Sequence, residues 1–313
     1  MTRMYAITQD GFGGPEVLHR TETDRPTPGP DDVLVKVHAA GVNPVDTAVR
    51  AGYFPLITEP PFALGWDVAG VVEAVGANVT RFSVGDAVFG MPLFPEAAGA
   101  YAQYLTAPAG QLVPKPDSLS MAEAGALPLA GLTAWQAVVD IAEVAAGQRV
   151  LIHAAAGGVG HLAVQIAKSR GAHVIATARA ANHELVKSLG ADEVIDYTAV
   201  DFTTAIEPVD VVVDLVGGDY APRSARVLRP GGLLVTTVGH NPGITEVEAE
   251  QAGIRYATVF VMPSAKNLAG LSALSEAGEL RVHVAERLPL AEAAKAHELA
   301  ESGGAVGKTV LIP

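Results

Sequence analysis

The chain of 313 residues contains no cysteine. That absence excludes disulfides, thiolate zinc ligands, iron–sulfur clusters and a cysteine nucleophile, and it is compatible with a reducing cytoplasm. Basic residues are scarce. Lysine and arginine number 21 against 34 aspartates and glutamates, a formal net charge of −13, and they form no basic run. Binding nucleic acid through its phosphates needs clustered cations, so no nucleic-acid partner is expected and the acidity serves solubility. Long apolar runs are also lacking. Glycine, proline or charge interrupts every apolar stretch short of membrane-spanning length, and the N-terminal MTRMYAITQDGFGG carries no apolar core of signal-peptide length. The expectation is a soluble cytoplasmic protein without membrane association. The nine histidines are scattered, with no His-x-x-x-His pairing, so no metal motif stands out.

Hydrophobic residues make up 49% of the chain, and the length suffices for two domains with substantial cores. The first third reads as β structure. Residues 32–42, DVLVKVHAAGV, alternate apolar and polar positions before an Asn-Pro turn, and 66–76, 82–90, 100–108 and 111–116 continue with short β-prone runs between prolines and glycines. That texture suggests an irregular barrel. From about Ser120 the pattern changes to helices, at 121–127 and 131–144, and then to alternation. Strands are expected at 149–154, 173–178, 193–197, 209–216, 233–238 and 255–261, with helical segments between most of them. Six strands in that rhythm predict a doubly wound parallel sheet. A helix at 265–278, a β run at 281–290, a helix at 291–301 and a final strand from Lys308 form a tail that could return to the first domain.

The first expected strand of the parallel sheet runs into AAGGVG at 155–160, which opens a helix. The pattern Ala-x-Gly-x-x-Gly approaches the dinucleotide fingerprint Gly-x-Gly-x-x-Gly, with Ala155 in the first glycine place. In this reading Ala156, Gly157, Gly158, Val159 and Gly160 form a phosphate cradle. Gly157 lets a pyrophosphate approach the backbone, Gly160 lets the helix pack close, and the helix N-terminal amides face the phosphates. A tight strand–helix turn with no ligand is the alternative. The second strand ends in ATARAAN, with no acid before Glu184. An acid there would bond ribose hydroxyls, whereas Arg179 attracts a 2′-phosphate, so NADPH is the expected cofactor. Tyr197, at the end of the third strand, either flanks the same phosphate or is a plain strand-end tyrosine.

Taken together, GVNPVD at 41–46, GWDVAGVV at 65–72, VGDAVFG at 84–90, LPLAGLTAWQAV at 127–138, the glycine loop, SLGADEVIDY at 188–197, RPGG at 229–232 and the ending VGKTVLIP resemble the zinc-free quinone oxidoreductase branch of the medium-chain dehydrogenase/reductase superfamily. The resemblance spans essentially the whole chain. It implies an α/β protein with a GroES-like β-barrel catalytic domain (1–122 and 263–313) and a Rossmann NADP(H)-binding domain (123–262). Zinc-dependent relatives keep Gly-His-Glu where this chain has Gly65-Trp66-Asp67, and tryptophan cannot ligate zinc, so no metal is expected.

Without a Lewis acid, polarising an alcohol for oxidation is hard. Conjugate reduction of a quinone or enone needs mainly alignment and hydrogen-bond donors. The resemblance carries Asn43 over as a donor to a carbonyl or a cofactor hydroxyl, or as a turn residue before Pro44. Asp46 orients Asn43 or caps the short helix that follows. Tyr53 matches an aromatic position over the acceptor pocket, where it bonds the carbonyl or only packs. Thr133 lies near the nicotinamide, or bonds its own helix backbone. Val216, Gly239, His240 and Val261 complete the implied cofactor contacts, with His240 more ordinarily a loop histidine. Lys308 reaches the cofactor or is solvent-exposed. Loops 53–61 and 91–100, with Phe54, Pro60, Pro61, Phe62 and Phe94, suit a flat apolar acceptor. The expected activity is NADPH-dependent reduction of quinones or other α,β-unsaturated carbonyls; an enoyl reductase of a biosynthetic pathway and a non-catalytic NADPH sensor remain alternatives. A homodimer paired along the edge strand from Arg255 is expected, a covered edge in a monomer being the other possibility.

Overall fold

The computed structural model describes residues 2–313, which divide into two compact units. The first contains the chain up to Leu132 together with Met262–Glu276 and Val282–Pro313. The second contains Thr133–Val261 and Ala277–Arg281.

The first unit begins with a hairpin that hydrophobic patterning does not single out, β1 (Arg3–Gln9) against β2 (His19–Asp24). β2 runs HRTETD with no buried residue; its register is held by pairing rather than by an apolar face. The central strand is β3 (Asp32–Val42), which takes the helix Pro44–Arg50 at its end. β4 (Phe62–Ala63) pairs with β1; β5 (Val68–Val75) and β7 (Tyr104–Pro108) pair antiparallel with β3; β6 (Ala87–Gly90) pairs with β5, and β8 (Leu112–Pro114) with β6. In β3 only Lys36 and His38 are exposed. The expected alternation fails towards its C-terminal end because the helix Met121–Ala126 covers the second face. That helix starts at Ser120, whose hydroxyl accepts from the Glu123 N–H while the Glu123 carboxylate accepts from the Ser120 N–H, a capping box. Residues 123–132 therefore group with the first unit, rather than with the second domain as the sequence suggests.

The second unit is a parallel sheet of β9 (Arg149–Ile152), β10 (His173–Thr177), β11 (Glu193–Ile195), β12 (Val209–Asp214), β13 (Leu228–Thr236) and β14 (Arg255–Thr258). Their spatial order is β11-β10-β9-β12-β13-β14, so the chain reverses direction across the sheet between β9 and β12. Leu151, Ile175, Val212 and Leu234 are fully buried in its core. The short apolar strands are Val-rich because both faces are covered. The helix expected from Gly131 begins earlier, at Pro128, and continues from Trp135 into a π-helical turn over Gln136–Ile141.

The tail returns to the first unit. After the helix Ala265–Glu276 come β15 (Val284–Pro289), the helix Ala293–Glu301 and β16 (Lys308–Ile312). β16 pairs antiparallel with β3, and β15 parallel with β16, so the last residues complete the sheet that the first residues began. Among the described residues no helix is long and apolar enough to cross a membrane.

Candidate functional site

In the second unit, the glycine loop leaves β9 at its C-terminal end. Ala154 has φ 49°, and the Gly157 N–H donates back to the Ala154 carbonyl at 2.9 Å. The helix Gly160–Ser169 packs directly on this turn: a Cβ built on Gly160 would meet Ala155 Cα at 2.8 Å and the Ala154 carbonyl oxygen closer still. Only glycine fits there. At Gly157 the nearest atom to such a Cβ is the Ala154 oxygen at 3.2 Å, so the missing side chain leaves space for something outside the fold. The helix cap is Val159, without a capping side chain; the His161 N–H donates to the Gly157 carbonyl and the Leu162 and Ala163 N–H groups to the Val159 carbonyl, so what the turn presents to an anion is the positive end of the helix dipole. Ala155 and Ala156 are buried, while Gly157, Gly158 and Val159 are half-buried.

Arg179 and Tyr197 lie at the ends of the adjacent strands β10 and β11, and the structure brings them together. The Arg179 Nε–H donates to the Tyr197 hydroxyl at 3.0 Å. Both are exposed. This bond uses one donor of the guanidinium and leaves its two terminal nitrogens as a fork.

Farther along the same C-terminal edge, Val216, Gly239 and His240 are exposed and Val261 half-buried. Val216 sits on a turn tied by Asp214, whose Oδ1 accepts from the Val216 and Gly217 N–H groups at 2.9 Å each. Asp214 Oδ2 is buried without a partner, and burial raises the pKa of this carboxyl above its ordinary range. Thr133 is 7% exposed, inside the helix Pro128–Trp135.

Beneath the glycine loop, His153 is fully buried. Its Nδ1 lies 3.1 Å from Thr177 Oγ1 and its Nε2 2.9 Å from Ser224 Oγ. Its ring meets Phe202 and Tyr220 edge-on, at 4.7 and 5.0 Å between centroids. Burial first, and Arg223 second, lower its pKa to about 3, so the ring is neutral.

The first unit holds a buried polar network at the end of β3. Asn43 is 1% exposed. Its Nδ2 donates to Asp67 Oδ2 at 2.9 Å, and its Oδ1 accepts from Lys308 Nζ. A donor-only ammonium on one side and a carboxylate on the other leave the amide one orientation. Lys308 also donates to the Val42 carbonyl at 2.8 Å and lies 3.7 Å from Asp67 Oδ2. The expected solvent-exposed Lys308 is therefore replaced by one that is 4% exposed, held by strand pairing between β16 and β3. Asp67 Oδ1 accepts from the Leu129 N–H at 2.6 Å. Asp46 accepts from the Asn43 N–H at 2.7 Å, which realises its expected role at the helix start. Burial drives the Asp46 pKa up to about 7, with the Asn43 N–H opposing and Asp67 adding. Burial lowers Lys308 from its ordinary value while Asp67 opposes that shift.

A second arm extends this network. Arg50 Nη1 lies 3.3 Å from His297 Nδ1, and Tyr101 Oη lies 3.1 Å from His297 Nε2. Arginine only donates, so Nδ1 accepts and Nε2–H donates to tyrosine. Burial first, and then Asp46, whose Oδ1 is buried without a hydrogen-bond partner, hold the Tyr101 hydroxyl well above its ordinary pKa. Arg50 closes the arm on Glu301, with its Nη2 at 2.6 Å from Oε1.

Tyr53 stands apart from this network. It is 87% exposed, on the turn after the helix Pro44–Arg50. Of the phenylalanines expected to line an acceptor pocket, Phe54 is exposed. Phe62 and Phe94 are core residues at 8% and 5% exposure; Phe94 packs edge-on against Trp66 at 5.3 Å, and Phe62 against Phe12. Arg50, Tyr101 and His297 are the network residues that sequence reading missed. The available signals were Asp67 inside the otherwise apolar GWDVAGVV, and Arg50 on a helix facing inward.

Two family models match the chain: an alcohol dehydrogenase GroES-like domain over residues 29–117 and a zinc-binding dehydrogenase over residues 189–311. A quinone oxidoreductase of Pongo abelii is 34% identical over 327 residues, covering 99% of this chain and 98% of its own. Among solved structures, the quinone oxidoreductase from Coxiella burnetii superposes with a TM-score of 0.94 at 39% identity, with all of both chains covered. The Escherichia coli quinone oxidoreductase complexed with NADPH superposes at 0.90 with 32% identity, covering 99% of this chain and 100% of that one.

Proposed function

This chain belongs to the quinone oxidoreductase branch of the medium-chain dehydrogenase/reductase superfamily and is an oxidoreductase enzyme; on that premise we propose that it uses NADPH to reduce quinones or other α,β-unsaturated carbonyls, without zinc. The observation that carries the cofactor reading is the pairing of Arg179 with Tyr197 at the strand ends beside the glycine loop. The residues present fit the group. Gly157 has room for a pyrophosphate, the positive end of the helix from Gly160 favours its charge, and the Arg179 fork suits a 2′-phosphate. The E. coli relative's NADPH complex supports the same reading.

When bound, the reduced nicotinamide supplies a hydride. The chain's own work is to hold and orient. Ala156 to Gly160 would hold the pyrophosphate, Arg179 and Tyr197 the 2′-phosphate, and Val216, Gly239, His240 and Val261 the ring-bearing half, with Thr133 as a further contact. Asn43 would offer its remaining Nδ2 hydrogen, with Lys308 contributing through it, and Tyr53 its exposed hydroxyl, as donors to cofactor or acceptor. The acceptor would be reduced by two electrons overall, with the proton for its oxygen coming from solvent. Zinc independence is supported by Trp66, which is buried with its indole N–H donating to the Glu96 carbonyl at 2.6 Å, and by Asp67, whose oxygens are engaged by Asn43, Leu129 and Lys308. A cytoplasmic homodimer paired along the free edge of β14 completes the proposal.

The test is NADPH oxidation with a panel of quinones and enones, repeated with NADH and with a chelator. Turnover that prefers NADPH and survives chelation is expected. Equal use of NADH refutes the Arg179 assignment, and loss of activity with chelator refutes zinc independence.

A further inference from the structure

Three elements meet beneath the glycine loop, and one side chain joins them. His153 follows β9 and immediately precedes the loop. Its backbone N–H donates to the Val213 carbonyl of β12 at 3.1 Å. Its ring reaches Thr177 on one side and Ser224, in the helix Tyr220–Ala225, on the other. Thr177 is the last residue of β10, two before Arg179, and is itself fully buried. Thr177 is held twice by the segment that carries the glycine loop: its carbonyl accepts from the Ala155 N–H at 3.0 Å, and its hydroxyl bonds His153. Phe202 and Tyr220 pack edge-on against the imidazole and fix its plane.

We propose that His153 is a positioning residue that sets the loop cradling the pyrophosphate in register with the strand end carrying Arg179, and so tunes the choice between NADPH and NADH. This rests on the cofactor reading above. Its chemistry is suited to the task. A neutral imidazole presents one donor and one acceptor, and each hydroxyl can donate or accept, so the four polar groups find partners in either tautomer without a buried charge. A phenyl ring of similar size would fill the space but leave both hydroxyls unpaired.

The test compares wild type with Thr177→Val, Thr177→Ser and His153→Ala. Leu234→Ala, a core truncation elsewhere in the unit, is the stability control. NADPH and NADH dissociation constants and steady-state KM and kcat are measured for each, together with Tm. Thr177→Val keeps the shape of the side chain and removes only the hydroxyl. It is expected to lower the NADPH-over-NADH preference by about three- to tenfold, the weight of one buried hydrogen bond, through KM for NADPH with kcat little changed. Thr177→Ser should restore the preference. Leu234→Ala should lower Tm and leave the preference intact. A Thr177→Val protein that is folded and discriminates like wild type overturns the proposal, even should His153→Ala fail to fold. Wild type that binds neither cofactor, or both equally, overturns instead the cofactor reading on which it rests.

Discussion

Two glycines of the loop after β9 should respond to alanine in opposite ways. In Gly160→Ala the new Cβ meets backbone: Ala155 Cα at 2.8 Å and the Ala154 carbonyl carbon at 2.9 Å, where ordinary contact begins at 3.4 Å. Those atoms cannot rotate away, and the Ala154 carbonyl oxygen lies closer still, so the helix Gly160–Ser169 must lift from the turn by about an ångström. Such overpacking costs about 1–3 kcal/mol. Against it stands the helix preference of alanine over glycine, about 1 kcal/mol at most. A net loss of about 1–2 kcal/mol corresponds to a fall in Tm of about 2–8 °C. In Gly157→Ala the Cβ has one neighbour, the Ala154 oxygen at 3.2 Å, which a few tenths of an ångström relieves, so Tm should change by less than about 2 °C. The methyl group would instead occupy the approach of the pyrophosphate, and NADPH affinity should fall about tenfold or more, a difference of about 1.4 kcal/mol. Thermal unfolding of the apo proteins and titration calorimetry with NADPH measure both quantities. Should Gly157→Ala lower Tm more than Gly160→Ala, or bind NADPH as wild type does, the division of labour between the two glycines is wrong.

Arg179→Ala should raise KM for NADPH about 10- to 100-fold, the weight of a hydrogen bond to a charged group, and change KM for NADH less than about twofold; equal effects on both in steady-state assays would count against a phosphate contact. Lys308→Met leaves Asp67 buried without its cation and should cost about 3–5 kcal/mol in urea unfolding, with the double variant Lys308→Met/Asp67→Asn recovering most of that loss; no recovery would mean that the packing of Lys308, rather than its charge, matters. Asp46 binds its proton with a pKa of about 7 in the fold against an ordinary 3.8, so unfolding releases a proton between those values, and its contribution to stability declines as pH rises from about 4 through 7. Asp46→Asn should flatten that decline in stability measured against pH. His153 and His297 act in the opposite sense: their pKa values fall to about 3 from an ordinary 6.5, so their contribution is complete above about 6.5 and is lost as pH falls towards 3; His297→Gln should weaken the acid limb of the same curve.

The parallel sheet, the glycine loop and the barrel-like first domain are legible in the sequence because each rests on local information. Alternating short strands and amphipathic helices announce a doubly wound sheet, and a run of small residues between a strand and a helix has few structural uses. Arg179 and Tyr197 are also legible, since each marks a strand end, and parallel strands deliver their ends to one edge. The network around Asn43 is a different case. Arg50 and Glu301 are separated by 251 residues, and Lys308 and Asn43 by 265. No local preference encodes such pairs. They form because β16 pairs with β3 and the helix Ala293–Glu301 packs beside the helix Pro44–Arg50, which buries several charged groups together and leaves them only one another as partners. The same holds for His153, which reads as the tail of an apolar strand until β10 and the helix Tyr220–Ala225 supply its two hydroxyls, and for Phe62 and Phe94, whose apolar rings fit a ligand pocket and a core equally well. Local periodicity and small-residue spacing thus determined the two-part α/β fold and the place of the glycine loop, whereas burial against sequence-distant neighbours decided which polar side chains hold one another.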